Sequence, residues 1–270
     1  GSELWGSAVA DLIEFGNQLP GKARYVALGD YANSRGAADF ALLPDRLPGY
    51  ARVDMPAARE HYEQIWNARL PVQPGLNLRQ MLEAAAQGNL RALYIVGSNP
   101  VKTCALSSPD QVLGKLALLV VQELFLTETA QRADVILPAA CAYEKEGTFT
   151  NTCGELQQLR RAVDAPGRAR SDFDILRLLF HMMGQPIPLR TPEAALEEVR
   201  QHVPGYQVSL ANLAAGQAVN ITLAVAPERI DTPAGLIFSS DDSLFTSGNL
   251  GRYSQTLNSV HERQLARTEL

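Results

Sequence analysis

Cysteine is scarce in this chain: Cys104, Cys141 and Cys153 are the only three in 270 residues, and no Cys-x-x-Cys spacing links them. An odd, unspaced set supplies neither a disulfide framework nor the ligands of an iron–sulfur or zinc site, and it fits a reducing compartment. The four histidines, His61, His181, His202 and His261, sit far apart. No Gly-x-Gly-x-x-Gly, Gly-x-Ser-x-Gly or His-Glu-x-x-His motif accompanies them, so nucleophilic and zinc chemistry lose support. Positive charge is also short. Lysine and arginine total 24 against 29 acidic residues, a formal net charge of −5, and with no basic stripe in view a nucleic-acid partner is not expected. Long apolar runs are missing too. Leu116 to Val121 with its flanks falls far short of the roughly 20 residues needed to span a bilayer, so no direct membrane insertion is expected.

What remains is a globular composition, 46% hydrophobic, with chain enough for one large or two ordinary domains. Gly1-Ser2 reads as a cleavage scar with no signal peptide behind it, which makes an excised piece of a longer protein the expectation.

The organising stretch is Ala92-Leu-Tyr-Ile-Val-Gly-Ser-Asn-Pro100. Leu93 to Val96 has no polar alternation, the pattern of a central parallel strand covered on both faces. Gly97 frees the backbone, while Pro100 withdraws a donor and biases Asn99 toward extended geometry. The result is a tight turn at a strand's carboxyl end, the edge where open α/β sheets bind ligands. An ordinary βα turn needs the same residues.

Along the chain, Leu4 to Leu19 carries an imperfect helical stripe that Pro20-Gly21 ends. Tyr25 to Leu28 reads as a short strand, and Asn33 to Asp39 as the loop after it. Leu43 to Pro74 holds five prolines, an irregular excursion with one helix at Ala57 to Trp66. Asn77 caps a helix bearing Leu78, Met81, Leu82 and Ala85, which Gly88 stops. Strands follow at Leu93–Val96, Leu116–Val121 and Asp134–Pro138, with a helical turn at Thr127–Arg132; separation by helical patterns implies a parallel sheet.

Glu144 to Asn151 reads as polar loop. Ser171-Asp-Phe-Asp174 forms a capping box for a helix expected to bury Ile175, Leu176, Leu178, Leu179, Met182 and Met183 before Gly184. Thr191-Pro192 opens another helix, to about Val203. From Val219 the pattern turns β-rich, with strands at Ile221–Val225 and Leu236–Phe238. The expected fold class is therefore α/β: a mostly parallel sheet with helices on both faces, a Rossmann-like layer over residues 1–216, then the start of a β domain over 217–270.

Several chemical motifs fail on inspection. Gly97 to Thr103 ends like a phosphate-binding loop but lacks its second glycine and its length. Glu144 and Glu146 have acid/base chemistry, yet a solvated loop explains them. Met182-Met183 on an amphipathic helix suits packing better than metal ligation. Cys153 has no neighbouring base or cation cluster to activate it.

The ordered motifs Gly97-Ser-Asn-Pro100, Val120-Val-Gln-Glu-Leu-Phe125, Thr127-Glu-Thr-Ala130, Ala133-Asp-Val-Ile-Leu-Pro138, Glu144-Lys-Glu-Gly-Thr-Phe-Thr-Asn151 and Asp172-Phe-Asp-Ile-Leu176 resemble the molybdopterin oxidoreductase family. Asn33 to Gly49 and Leu244-Phe-Thr-Ser-Gly248 are similar to the family as well. Within it, the resemblance leads to the large iron–sulfur subunits of respiratory NADH:quinone oxidoreductase (complex I), with molybdenum-dependent formate dehydrogenases second. The resemblance implies a structural domain of an electron-transferring peripheral arm without its own redox centre. Its iron–sulfur clusters would lie in a missing N-terminal region, its partners would be other subunits of the arm, and its place would be cytoplasmic, peripheral to the inner membrane. Molybdopterin guanine dinucleotide would be a cofactor only under the formate dehydrogenase reading. By matching motif, a vestigial dinucleotide site comprises Gly97, Ser98, Asn99, Pro100, Gln122, Glu123, Thr127, Thr129 and Asn151, with no catalytic or metal residue. One departure bears on it. Where the family has Asn-Thr-Glu-Gly-Arg-x-Gln, this chain has Asn151-Thr-Cys-Gly-Glu-Leu-Gln157, which replaces an arginine suited to anions by Glu155.

Overall fold

The computed structural model describes residues 6–21, 23, 31–104, 106, 108–221, 254–256 and 259. The expected strands at Tyr25–Leu28 and Leu236–Phe238, most of Ile221–Val225, and the motif Leu244–Gly248 lie outside these.

The described chain opens with helix α1 (Gly6–Gln18). Helix α2 (Ser34–Asp39) then stands where a loop is expected. Six residues are too few to show a helical period, and tertiary contact decides the matter: Asn33 leaves its own helix uncapped and accepts instead from the Thr150 amide, 2.9 Å away. The proline-rich excursion holds a small antiparallel pair, β1 (Arg46–Leu47) and β2 (Ala51–Arg52), and helix α3 (Pro56–Trp66) with proline in its first turn. Leu47, Val53 and Tyr62 bury together there.

Helix α4 (Leu78–Gln87) shows the strongest local coding. Asn77 accepts from the Gln80 amide and the Gln80 side chain answers the Asn77 amide, while Gly88 closes the helix at φ +77°. A parallel sheet follows: β3 (Ala92–Val96), short helices α5 (Pro100–Thr103) and α6 (Pro109–Leu113), β4 (Leu118–Glu123), a 3-10 turn at Ala130–Arg132, and β5 (Val135–Pro138). Strand order is β3-β4-β5, with Ile95 opposite Val121 and Val121 opposite Ile136. Asp134 extends the β4–β5 ladder by accepting from the Leu119 amide at 2.7 Å. Strand β4 begins two residues later than its apolar run.

Strand β3 differs from its expectation. It is an edge of the described sheet, and only Ile95 is buried; Tyr94 and Val96 are exposed. The face built by Ile95, Leu119 and Val121 packs with Leu82 and Leu113, whereas the alternate residues Tyr94, Val96, Leu118 and Val135 remain open.

The polar stretch after Glu144 is strand rather than loop: β6 (Gly147–Thr150) pairs antiparallel with β7 (Glu155–Leu159). Its polarity hid it: of the two strands only Thr150 and Leu156 are buried. Helix α7 (Asp172–Met182) starts at the expected Ser171 cap, but of its expected apolar face only Ile175 is buried, Leu179 is half-buried, and Leu176, Leu178, Met182 and Met183 are exposed. Helix α8 (Pro192–His202) is capped by Thr191, and α9 (Leu210–Ala214) follows. Strand β8 (Val219–Asn220) pairs with β7. Leu156, Leu196, Val203, Tyr206, Leu213 and Ile221 form this second core.

Candidate functional site

The carboxyl ends of β3 and β4 converge as the sequence suggests. Gly97 takes φ +58°, a left-handed turn that glycine adopts without penalty, and its amide donates to the Gln122 carbonyl at 2.9 Å. Ser98 is half-buried, and Asn99 and Pro100 are buried. Pro100 is the first residue of α5, where its missing donor is not needed.

Asn99 is the hub. It is 1% exposed, and its Nδ2 donates to Glu128 Oε2 at 2.7 Å while its Oδ1 accepts from Thr129 Oγ1 at 2.7 Å and from the Thr129 amide at 3.3 Å. Thr129 Oγ1 in turn accepts from the Val101 amide, and the Asn99 carbonyl accepts from Thr103 Oγ1. Thr127, fully buried, accepts from the Ala130 amide at 3.1 Å. These side chains bind one loop to the other.

Gln122 heads a second line of bonds. Its Oε1 accepts from the Tyr94 hydroxyl, its Nε2 donates to Asp172 Oδ1 at 2.5 Å, and Lys145 Nζ donates to Asp172 Oδ2. Burial, with the Asp172 charge nearby, pushes the Tyr94 phenol above its ordinary range. Glu123 is buried, and its Oε1 accepts from the Leu124 amide at 2.7 Å.

Asn151 bonds within its own hairpin. Its Oδ1 accepts from the Cys153 and Glu155 amides and its Nδ2 donates to Glu155 Oε2 at 2.8 Å, all within the β6–β7 turn. The structure thus gathers eight of the nine expected residues at the sheet edge and leaves Asn151 to shape a hairpin.

The sequence reading did not assign Tyr94, Glu128, Lys145 and Asp172 to the site, although all four lie within the stretches and motifs that it singles out. It also missed a buried lock beside the hairpin. Asp39, fully buried, accepts from Tyr206 hydroxyl at 2.7 Å and Arg35 Nε at 2.8 Å, and Tyr206 shares a 2.9 Å bond with Thr150. The Tyr50 hydroxyl also bonds Asp39; burial first, then that carboxylate, raises its pKa to about 12. Burial raises Tyr206 further. Among the described residues no three His, Cys, Asp or Glu side chains are grouped to hold a metal ion, and burial pushes the Cys104 thiol upward.

The model of the molybdopterin oxidoreductase family matches residues 7–181, which include all nine site residues. The chain belongs to the molybdopterin oxidoreductase family. Its relatives include the second G-type subunit of NADH-quinone oxidoreductase from Rhizobium meliloti, 36% identical over 86% of this chain and 28% of the relative. The alpha subunit of F420-dependent formate dehydrogenase 1 from Methanococcus maripaludis is 40% identical over 64% of this chain and 26% of the relative. The chain therefore spans about a quarter of the length of these molybdopterin oxidoreductase relatives. Among solved structures, acetylene hydratase from Pelobacter acetylenicus superposes with a TM-score of 0.45 at 18% identity, over 63% of this chain and 24% of that one. No described helix is long and apolar enough to cross a membrane.

Proposed function

We propose that this chain is a structural molybdopterin oxidoreductase domain within a large iron–sulfur subunit of the NADH:quinone oxidoreductase type, contributing architecture while electrons pass through clusters held elsewhere. The supporting observation is that the polar side chains at the sheet edge bond one another. Asn99, Thr127, Thr129 and Gln122 are buried and partnered within the protein. A pyrophosphate calls for cations or free donors. None of the nine residues is cationic, Glu123 is a carboxylate, and Glu155 stands where the family pattern has an arginine. This side-chain set does not fit a molybdopterin dinucleotide.

In this role the partners are other subunits of the peripheral arm, and the place of work is the cytoplasmic side of the inner membrane. Element analysis of the full-length protein tests the reading. Iron without stoichiometric molybdenum or tungsten is expected; molybdenum at one per chain would overturn it in favour of the formate dehydrogenase type.

A further inference from the structure

The connection from β7 to α7 is strongly basic in an otherwise acidic chain: residues 160–170 hold four arginines and one aspartate. We infer that this loop, with Tyr143, is a docking surface for an acidic segment of another protein. The loop is fixed at both ends. The Ala162 and Val163 amides donate to the Tyr143 carbonyl at 2.8 and 3.2 Å. At the other end the Arg170 amide donates to the Pro138 carbonyl and its own carbonyl accepts from Ala140, a parallel bridge that lays Arg170 beside the carboxyl end of β5. A surface fixed before binding loses less entropy on association.

Its composition suits protein recognition. Tyr143 is 63% exposed and Val163 is 56% exposed, an apolar centre beside arginine, and tyrosine and arginine are enriched among the residues that dominate interfaces. Arg160 is spent on the Ala214 carbonyl at the end of α9, and Arg161 lies 3.4 Å from Asp164. Arg168 and Arg170 are exposed and carry no ion pair among the described residues. Two exposed guanidiniums on a loop whose other end is bonded to the Tyr143 carbonyl fit carboxylates in pairs. A nucleic acid is the poorer fit, because duplex binding draws on many phosphate contacts along a basic face, whereas here one loop is basic and the whole chain carries −5.

Fluorescence anisotropy with a labelled oligoglutamate tests the inference. The unmodified chain should bind it with an affinity that falls as salt rises. The Arg168→Glu/Arg170→Glu variant should bind about tenfold or more weakly, and Tyr143→Ala should also lose affinity. Melting curves confirm that each variant folds; should the double reversal not fold, Arg168→Gln/Arg170→Gln takes its place. Oligoglutamate binding that ignores these substitutions would overturn the inference. So would tighter binding of an oligothymidylate of equal charge, which points to phosphate, or a change in the chain's own sedimentation on substitution, which points to a second copy.

Discussion

The two faces of the parallel sheet come from the same strands and behave differently. On one, Ile95, Leu119 and Val121 of β3 and β4 are 7%, 2% and 0% exposed, and Ile136 on the edge strand β5 opens to 43%; on the other, Val96, Leu118 and Val135 are 47%, 42% and 42% exposed. Their side chains are equally apolar. The difference teaches that the uninterrupted hydrophobic pattern encodes a sheet meant for cover on both faces, and that stability within these residues derives from the face under Leu82 and Leu113.

Adjacent leucines sharpen that contrast most. Leu119→Ala should cost about 2–5 kcal/mol by removing packed methyl groups from the covered face, while Leu118→Ala, one residue away, should cost less than about 1 kcal/mol. Urea unfolding measures both; equal costs would erase the distinction between faces.

A second pair divides the expected site residues. Asn99→Ala leaves Thr129 short of a buried partner and should cost about 1–3 kcal/mol, by the penalty for an unsatisfied buried group. Asn151→Ala should cost about 1 kcal/mol or less, since its half-exposed turn can bond to water instead.

The buried lock predicts a weakness to alkali. Tyr50 and Tyr206 have raised pKa values in the folded chain, so both folded and unfolded states keep these protons below the ordinary phenol value of about 10, and stability is complete there. Above it the unfolded chain ionises first. Stability should fall as pH rises from about 10 toward 12, and Tyr50→Phe should make the fall shallower in unfolding curves taken across that window.

The smallest effect is expected at Leu178. Helical periodicity assigns it to the buried side of α7, but it is 37% exposed, and Leu178→Ala should change stability by less than about 1 kcal/mol. A larger loss in urea would place a covering surface over that helix.

These cases mark what local sequence can encode. The α4 cap, the Ser171 and Thr191 caps and the three parallel strands were legible because each rests on short-range chemistry: a side chain reaching an amide three residues on, or an apolar run between turns. Helix α2 and the β6–β7 hairpin were not, because they form through distant partners such as Asn33 with Thr150. Which face of α7 or of β3 is covered depends on what packs there, and periodicity carries no record of that. At the site, motif order located the sheet edge, but only the bonds of Asn99 to Thr129 and of Gln122 to Asp172 revealed that its polar groups point into the protein.

The central claim is that these side chains hold the fold together and do not hold a dinucleotide. Calorimetric titration of GDP into the unmodified chain and its Glu155→Arg variant tests it most directly. The account predicts no saturable binding to the unmodified chain tighter than about 1 mM; saturable micromolar binding that Asn99→Ala abolishes, in a variant still folded, would contradict it.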